Sequence, residues 1–213
     1  DLSHMRRDTH KGTAEPLRVG FIGTLFEHKG AHLLVNAVRS LPPEIPIDVQ
    51  IYGKLNEFPE YVAELRALAG DDARIRFMGT FPNHAIGDIF AGLDCLVVPS
   101  IWYENTPLVI YSSMAAGCPV LATNLGGMSE AVAHEASGLL FEKGDSAGLA
   151  RQLQRLALDR PFLRRLAAGT AMPKSIPQYV DELEKIYADV RAQHVNRHTS
   201  PVGGPGATER AAV

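Results

Sequence analysis

Short apolar segments alternate with amphipathic stretches along most of the chain, and this alternation limits the folds that the sequence can adopt. The stretches between the apolar segments repeat apolar residues at helical spacing. Strands that alternate with helices predict a parallel sheet covered on both faces, an α/β doubly wound fold. The candidate strands are residues 18–23, 47–53, 74–79, 95–99, 119–123 and 138–141.

Three of the amphipathic stretches place their apolar residues on one helical face, which predicts contact with the core. A last helix is predicted over residues 178–190, and its apolar side is expected to pack on the domain or on a neighbour. The core-facing sets are Ala31, Leu34, Val35 and Val38, then Tyr61, Val62, Leu65 and Leu68, then Leu149, Leu153 and Leu156.

The candidate strands differ in their pattern. Residues 74–77 alternate charged with apolar side chains, whereas residues 95–98 form an uninterrupted apolar run. We therefore expect residues 74–79 to lie nearer to an edge of the sheet than residues 95–98.

Both ends of the chain are predicted to lie outside the folded domain. Residues 1–16 begin like a vector remnant and continue as a polar, aperiodic stretch, which predicts a disordered linker. Residues 193–213 are rich in glycine and proline and hold few large apolar side chains, which predicts a disordered tail. A single domain is therefore expected over residues 17–192.

Charge and composition exclude several classes of function. The formal net charge is -3, and lysine and arginine are scattered, so a nucleic-acid partner is not expected. No segment approaches the roughly 20 apolar residues that cross a bilayer, and no secretory segment opens the chain, which predicts a cytoplasmic location. Cys95 and Cys118 lie in apolar segments, and the histidines lack metal-ligand spacing, so reduced core thiols and no metal site are predicted.

Loops after the strands carry the candidate chemistry, because an open parallel sheet binds its ligand beyond the carboxyl ends of its strands. After the run at residues 95–98, Glu104 comes just before Thr106 and Pro107, a favourable N-cap and first-turn pair. The amides of the helix that starts there favour a phosphate or a sugar oxygen. The turn at Gly126 and Gly127 predicts a second approach of bare backbone to the same ligand.

The loop at residues 23–30 follows the first strand and opens a helix, but it matches neither the GxGxxG nor the GxxxxGK[ST] motif. Lys29 at the helix entry would place an ammonium beside a diphosphate. The alternative is a solvated lysine. That alternative is disfavoured because a cation near the positive end of a helix dipole is unfavourable without an anion to offset it.

The segments GFIGTLFEHKG and PSIWYENTPLVIYSSMAAGCPVLATNLGGMSE together resemble the carboxyl-terminal, donor-binding domain of the family 4 retaining glycosyltransferases of the GT-B type. The resemblance covers about residues 17–190. It implies the carboxyl-terminal half of a GT-B fold, in which two Rossmann-like domains face each other across a cleft. The second domain grips a nucleotide sugar and the first holds the acceptor. The implied partner is therefore an amino-terminal acceptor-binding domain, in the same protein or in a partner subunit.

The resemblance also assigns roles to residues. It implies that the Gly23 backbone approaches the donor phosphates, that Lys29 contacts the diphosphate and that Glu104 binds sugar hydroxyls. Lys29 and Glu104 are the predicted catalytic residues. The predicted donor-binding residues are Gly23, Thr24, Lys29, Phe81, Glu104, Asn105, Thr106, Pro107, Leu108 and Ser112.

Four assignments stay open between a functional and a structural role. Phe81 lies where the family's backbone contacts the base, but its ring is equally expected to be buried. Trp102 and Tyr103 are candidates to border a sugar or to anchor their loop in the core. Glu130 fits the family's GGxxE pattern or serves only to stabilise its own helix.

Two positions depart from the family pattern. Ser112 stands where the family has a second glutamate that grips the ribose hydroxyls, and Thr24 stands where many relatives have arginine. Serine is too short for the paired contact, and losing a charged hydrogen bond costs about 1.5–3 kcal/mol of donor affinity.

The function implied by the resemblance is transfer of a hexosyl group from a nucleotide diphosphate sugar with retention of configuration, in polysaccharide or glycoconjugate synthesis. No cofactor or metal is implied, and this half alone is expected to be inactive. The alternative is a degenerate, non-catalytic GT-B domain that acts as a binding or scaffolding module. An epimerase of similar architecture is less supported, since the ENTP and GGMSE segments match the transferases better.

Overall fold

A computed structural model describes Arg7, residues 11–12, residues 15–105 and residues 107–199 of the protein, with side chains up to residue 194. The strands are β1 (Leu17–Ile22), β2 (Ile47–Tyr52), β3 (Ile75–Gly79), β4 (Cys95–Val98), β5 (Val120–Thr123) and β6 (Gly138–Phe141). The helices are α1 (Ala31–Ser40), α2 (Pro59–Ala69), α3 (Ile86–Ala91), α4 (Leu108–Ala115), α5 (Gly127–Ala131), α6 (Ser146–Leu158), α7 (Arg160–Gly169) and α8 (Ile176–Thr199).

The six strands form one parallel sheet in the order β3-β2-β1-β4-β5-β6. The predicted doubly wound fold is therefore confirmed, and the strand order reverses between β1 and β4. The expected position of β3 is also confirmed, because it is the outermost strand beyond β2, whereas β4 is central.

Helices bury apolar residues against both faces of the sheet. One core cluster joins the sheet to α1, α2, α6 and α7, and the other joins it to α3, α4 and α5. The predicted stripes of α1 and α6 are buried throughout. In α2 one position is wrong. Leu68 is exposed, and Ala69 is buried instead. The buried face of the helix continues seven residues after Val62, at Ala69, rather than six residues after it, at Leu68.

The predicted core thiols are confirmed, since Cys95 and Cys118 are both free and buried. Burial raises the pKa of both thiols, that of Cys118 to about 11. No helix in the described part of the chain is long and apolar enough to span a bilayer.

The predicted linker at residues 1–16 includes residues that form hydrogen bonds with the folded domain. The Lys11 side chain is buried, and its ammonium donates to the carbonyls of Phe90 and Leu93 at the end of α3. Arg7 donates to the Thr170 carbonyl beyond α7 at 2.7 Å. A cation favours the carbonyl end of a helix, and this role leaves no periodic signal in the sequence. The rest of residues 1–14 lies outside the described residues.

The carboxyl-terminal boundary also differs from the prediction. The chain divides into two compact units between Pro173 and Lys174 rather than at residue 192. Within the second unit α8 continues to Thr199, so the predicted tail at residues 193–213 begins inside a helix, and residues 200–213 lie outside the described residues. The α8 side chains of Tyr179 and Tyr187 are exposed.

Candidate functional site

The candidate site lies at the carboxyl ends of β1 and β4, where the strand order reverses. The loop after β1 forms a 3-10 turn at Glu27–Lys29 and ends at Gly30, whose φ is 72°. A Cβ atom at Gly30 would lie 1.9 Å from the carbonyl oxygen of Pro99. Both the left-handed backbone and the close approach therefore require glycine, and the loop after β1 packs directly on the loop after β4.

Hydrogen bonds join these two loops. The carbonyl oxygen of His28 accepts from the Ile101 amide at 2.9 Å and lies 2.9 Å from the Ser100 hydroxyl oxygen. Next to these bonds, Lys29 Nζ donates to Glu104 Oε1 at 2.6 Å. The Lys29 and Glu104 side chains are 31% and 15% exposed, so the pair is partly covered but within reach of solvent. The two predicted catalytic residues, which belong to separate motifs, are therefore in direct contact.

The loop after β5 packs against the loop after β4. The amide of Gly127 donates to the Glu104 carbonyl oxygen at 3.0 Å, and a Cβ atom at Gly127 would lie 2.1 Å from the Asn105 carbonyl oxygen. The prediction that this turn offers bare backbone to a ligand is therefore wrong for Gly127 and stays a prediction for Gly126. The Gly127 amide already has an acceptor, and glycine is needed here because another loop passes so close.

The amino terminus of α4 faces the site. The helix begins at Leu108, one residue later than predicted, because Pro107 has an extended ψ of 96° and takes the N-cap position. The predicted N-cap, Thr106, lies outside the described residues. Among the residues that are described, none accepts a hydrogen bond from the amides of Leu108 and Val109. Unpaired first-turn amides attract an anion or a sugar oxygen.

A cavity of about 520 Å³, a volume typical of small-ligand sites, opens at the same edge of the sheet, and neither Lys29 nor Glu104 is among the residues that line it. Loops after β1, β2 and β3 and the first turns of α4 form its wall. Five predicted donor-binding residues line it: Gly23, Thr24, Phe81, Leu108 and Ser112.

One end of the cavity is aromatic. The Tyr52 and Phe81 rings pack edge to face with centroids 5.4 Å apart, and Gly79 beside them has a φ of 75°. Tyr52 donates its hydroxyl to Gln50 Oε1 at 2.7 Å, and burial raises the pKa of Tyr52. The Phe81 ring is half-buried, and it lines the cavity while it packs on Tyr52. This end can accept the face or edge of a planar base.

Ser112, which is half-buried on α4, lines the same cavity. Its hydroxyl makes no hydrogen bond within the described residues. The charged side chains among the described lining residues are Lys54 and Glu57, whose charged atoms lie 4.0 Å apart.

The other predicted residues that the structure describes are not among those that line the cavity. Asn105 is exposed, and Pro107 is buried at the start of α4. Trp102 and Tyr103 are 64% and 70% exposed, so they do not anchor their loop in the core. Glu130 is exposed in the first turn of α5.

Sequence reasoning missed several residues of the site. Tyr52, Lys54 and Asn83 line the cavity, and Ser100 bonds to Glu104 Oε1 at 2.9 Å. All four lie at or near the carboxyl end of a predicted strand, and this position was the signal that could have identified them.

The described residues contain no group of three or more His, Cys, Asp or Glu side chains that could hold a metal ion. The charges of the site are therefore those of Lys29, Glu104, Lys54 and Glu57, together with the dipole of α4.

These features define a class of protein. Typical nucleotide-binding α/β proteins have a doubly wound sheet with a cavity at its switch point, an ammonium on a neighbouring loop, and helix amides that, as here among the described residues, have no acceptor.

The protein belongs to the glycosyl transferases group 1 family, whose model matches residues 16–159. It is similar to a D-inositol 3-phosphate glycosyltransferase of Corynebacterium urealyticum, with 33% identity over 76% of this chain and 39% of the relative. A second D-inositol 3-phosphate glycosyltransferase, from Stackebrandtia nassauensis, is 30% identical over 88% of this chain and 45% of its own length. The chain thus spans less than half the length of these curated relatives.

Solved structures support the same assignment. Anabaena HepE in complex with UDP-glucose is 29% identical over 71% of this chain and 42% of its own, with a TM-score of 0.65. The C-terminal domain of a glycosyl transferase group 1 family protein from Francisella tularensis shares the fold at 21% identity, with a TM-score of 0.68. That match covers 80% of this chain and 93% of the solved domain.

Proposed function

We propose that this chain is the carboxyl-terminal, donor-binding half of a retaining glycosyltransferase and that it binds a nucleotide diphosphate sugar in the cavity beside Lys29 and Glu104. The observation that carries the proposal is that the switch point brings together two groups: the Lys29–Glu104 ion pair, and first-turn amides of α4 that have no acceptor among the described residues. The crystal structures of Anabaena HepE with UDP and with UDP-glucose support a nucleotide sugar as the ligand.

The proposed arrangement of the donor follows the chemistry of the wall. The base lies at the aromatic end near Tyr52 and Phe81, and the diphosphate lies between the Gly23 backbone and the amides of Leu108 and Val109. The sugar lies beside Glu104, whose carboxylate accepts hydrogen bonds from its hydroxyls. Lys29, now bonded to Glu104, also reaches the diphosphate.

In the proposed reaction, the bond between the anomeric carbon and the diphosphate oxygen breaks, and negative charge develops on the leaving diphosphate. Lys29 and the first amides of α4 stabilise that charge, while Glu104 holds the sugar in a reactive orientation. The leaving phosphate takes the proton of the acceptor hydroxyl as the new glycosidic bond forms. No cofactor and no metal ion enter this scheme.

The acceptor is proposed to bind to an amino-terminal domain, either in the same protein or in a partner subunit, and this chain alone is proposed to be inactive. The lengths of the relatives support this division, since this chain spans 39% and 45% of the two described above. A full-length enzyme whose product keeps the anomeric configuration of the donor, measured by NMR, would support retention. A product of inverted configuration would refute it.

Isothermal titration calorimetry of this chain tests donor binding directly. The ligands are UDP, GDP, ADP, UDP-glucose and inorganic pyrophosphate. We expect one nucleoside diphosphate to bind and pyrophosphate to bind more weakly, because only the nucleotide reaches the aromatic end. Absence of binding by every ligand would refute the proposed site.

The second candidate is a non-catalytic binding or scaffolding module, and Ser112 on the cavity wall is the observation that favours it. A Ser112→Glu variant separates the two candidates, because a longer acid at this position is expected to bind the ribose hydroxyls. About tenfold tighter nucleoside diphosphate binding would show that the site is otherwise intact. Unchanged, undetectable binding in both proteins would favour the scaffolding module.

A further inference from the structure

Ser100 is a buried polar residue at the centre of the site that no predicted motif role accounts for. It follows β4 and is only 1% exposed. Its Oγ lies 2.9 Å from Glu104 Oε1 and 2.9 Å from the His28 carbonyl oxygen, and it accepts a hydrogen bond from the Trp102 amide at 3.4 Å. This hydroxyl therefore contacts both loops that carry the predicted catalytic residues.

A serine hydroxyl has one proton, so it donates to one of these two oxygens at a time. The His28 carbonyl already accepts from the Ile101 amide at 2.9 Å, whereas Glu104 Oε1 carries negative charge. A hydrogen bond to an ionised acceptor is the stronger of the two. The proton of Ser100 is therefore directed to Glu104.

The geometry at Glu104 is one-sided. Lys29 Nζ and Ser100 Oγ both donate to Oε1, at 2.6 and 2.9 Å, whereas Oε2 has no donor among the residues that the structure describes. Two donors on one oxygen set the rotation of the carboxylate. They also leave Oε2 as the oxygen that presents its lone pairs to a ligand.

We infer that Ser100 is a positioning residue that holds the Glu104 carboxylate so that Oε2 receives a hydroxyl of the donor sugar. This inference rests on the proposed function of the site. Ser100 touches neither the sugar nor the diphosphate in this arrangement. Its loss should therefore weaken the contact with the sugar while the contacts with the diphosphate remain.

The test compares UDP with UDP-glucose, because both carry the same nucleoside diphosphate and only UDP-glucose carries the sugar; each variant is compared with the unaltered chain for the same probe. Calorimetry gives the affinity of each for this chain and for a Ser100→Ala variant. We expect Ser100→Ala to lower the affinity for UDP-glucose about tenfold, the effect of one charge-assisted hydrogen bond, and to change the affinity for UDP less than about twofold. Ser100→Thr, which keeps the hydroxyl, should restore most of the lost affinity.

Ser113 supplies the matched control. It is also fully buried, and its hydroxyl donates to the Cys118 carbonyl at 2.8 Å, without a hydrogen bond to Glu104. Ser113→Ala should lower the melting temperature about as much as Ser100→Ala does. The ratio of the affinity for UDP-glucose to the affinity for UDP should stay the same as in the unaltered chain.

The outcomes distinguish failure of the positioning role of Ser100 from failure of the proposed donor site. If Ser100→Ala and Ser113→Ala change the affinity ratio equally, or if Ser100→Ala weakens both ligands alike, then Ser100 has only a structural role and the inference is overturned. If the unaltered chain binds neither UDP nor UDP-glucose, the proposed donor site fails for these probes and the inference fails with it.

Discussion

The two ends of strands β1 and β4 each carry an ion pair, and the pairs differ in how completely they are hydrogen-bonded. At the amino ends, Asp94 is fully buried and accepts from the Gly12 amide, the Arg18 amide and two nitrogens of the Arg18 guanidinium. These bonds use both carboxylate oxygens. At the carboxyl ends, the donors that the described residues offer to Glu104 reach Oε1 alone, and the side chain remains partly exposed.

This difference indicates what each end does. A buried carboxylate whose oxygens are all bonded belongs to the rigid framework, since losing any donor leaves an uncompensated charge. A carboxylate with one oxygen still available, on loops that follow the strands, can exchange a protein contact for a ligand contact. We therefore propose that the sheet has a stabilising end and a binding end, and the predictions below test that division.

The largest expected effect is at the stabilising end. Asp94→Asn replaces an acceptor oxygen by an amide that faces donors, so we expect a loss of about 3 kcal/mol in the free energy of unfolding, measured with urea. Asp48→Asn is the control, because its pair with Arg76 is exposed, and it should cost about 0.5 kcal/mol. Equal effects of the two variants would contradict the division.

The same carboxylate predicts an acid-sensitive stability. Burial alone would raise the pKa of Asp94, but the hydrogen bonds from Arg18 and Gly12 outweigh it and hold the pKa below its ordinary value. The stabilisation is therefore present above about pH 4, the ordinary value for an aspartate, and is lost as the pH falls toward the lowered pKa. The difference in the free energy of unfolding between wild type and Asp94→Asn, measured with urea, should decrease below pH 4. A gap that stays constant from pH 7 to pH 2.5 would refute this.

At the binding end, Lys29→Met should lower the affinity for UDP about 10- to 100-fold, because a charged contact with the diphosphate is lost. The free energy of unfolding should change by less than about 1 kcal/mol, since the ion pair is partly exposed. Lys174→Met removes a comparably close ion pair with Glu182 in the other unit and should leave the UDP affinity unchanged. Unaltered calorimetric affinity in Lys29→Met would reject the role of Lys29.

A smaller effect on UDP affinity is expected from a substitution at Gly23, where the protein has room for an added methyl group. A Cβ atom there would lie 3.7 Å from its nearest neighbour, the Phe21 ring, so Gly23→Ala should keep the melting temperature. If donor phosphates approach this backbone, the added methyl group should lower the UDP affinity about fivefold or more. Gly53→Ala is the contrasting variant, because its Cβ would lie 2.4 Å from the Gly23 carbonyl oxygen and should destabilise the fold. Full affinity in Gly23→Ala would place the diphosphate elsewhere.

The fold was predictable from sequence because its signals are local. The β6 bounds match the prediction, and the other strands differ by one residue at one or both ends. Apolar runs and helical stripes depend only on neighbouring residues, and they are strong in β4, α1 and α6. The edge position of β3 was also readable, since Arg76 within it and Arg74 just before it alternate with apolar residues.

Contacts between distant segments were less predictable. Nothing near Gly127 in the sequence shows that its amide bonds to the Glu104 carbonyl, so the glycine turn was assigned to a ligand. Lys11 lies in an aperiodic stretch and was assigned to a linker, although its ammonium caps α3.

The sequence by itself determines which strands and helices follow one another along the chain, which helix faces are buried, and which loops meet at one edge of the sheet. It does so because periodicity and turn residues act over a few positions. The tertiary structure decided which groups of those loops bond to each other. Lys29 and Glu104 lie 75 residues apart, and only the pairing of β1 with β4 in the sheet brings the ammonium to Oε1, while Oε2 has no donor among the described residues. Hydrogen bonds of this length depend on the position of whole loops to within tenths of an ångström, and packing sets that position.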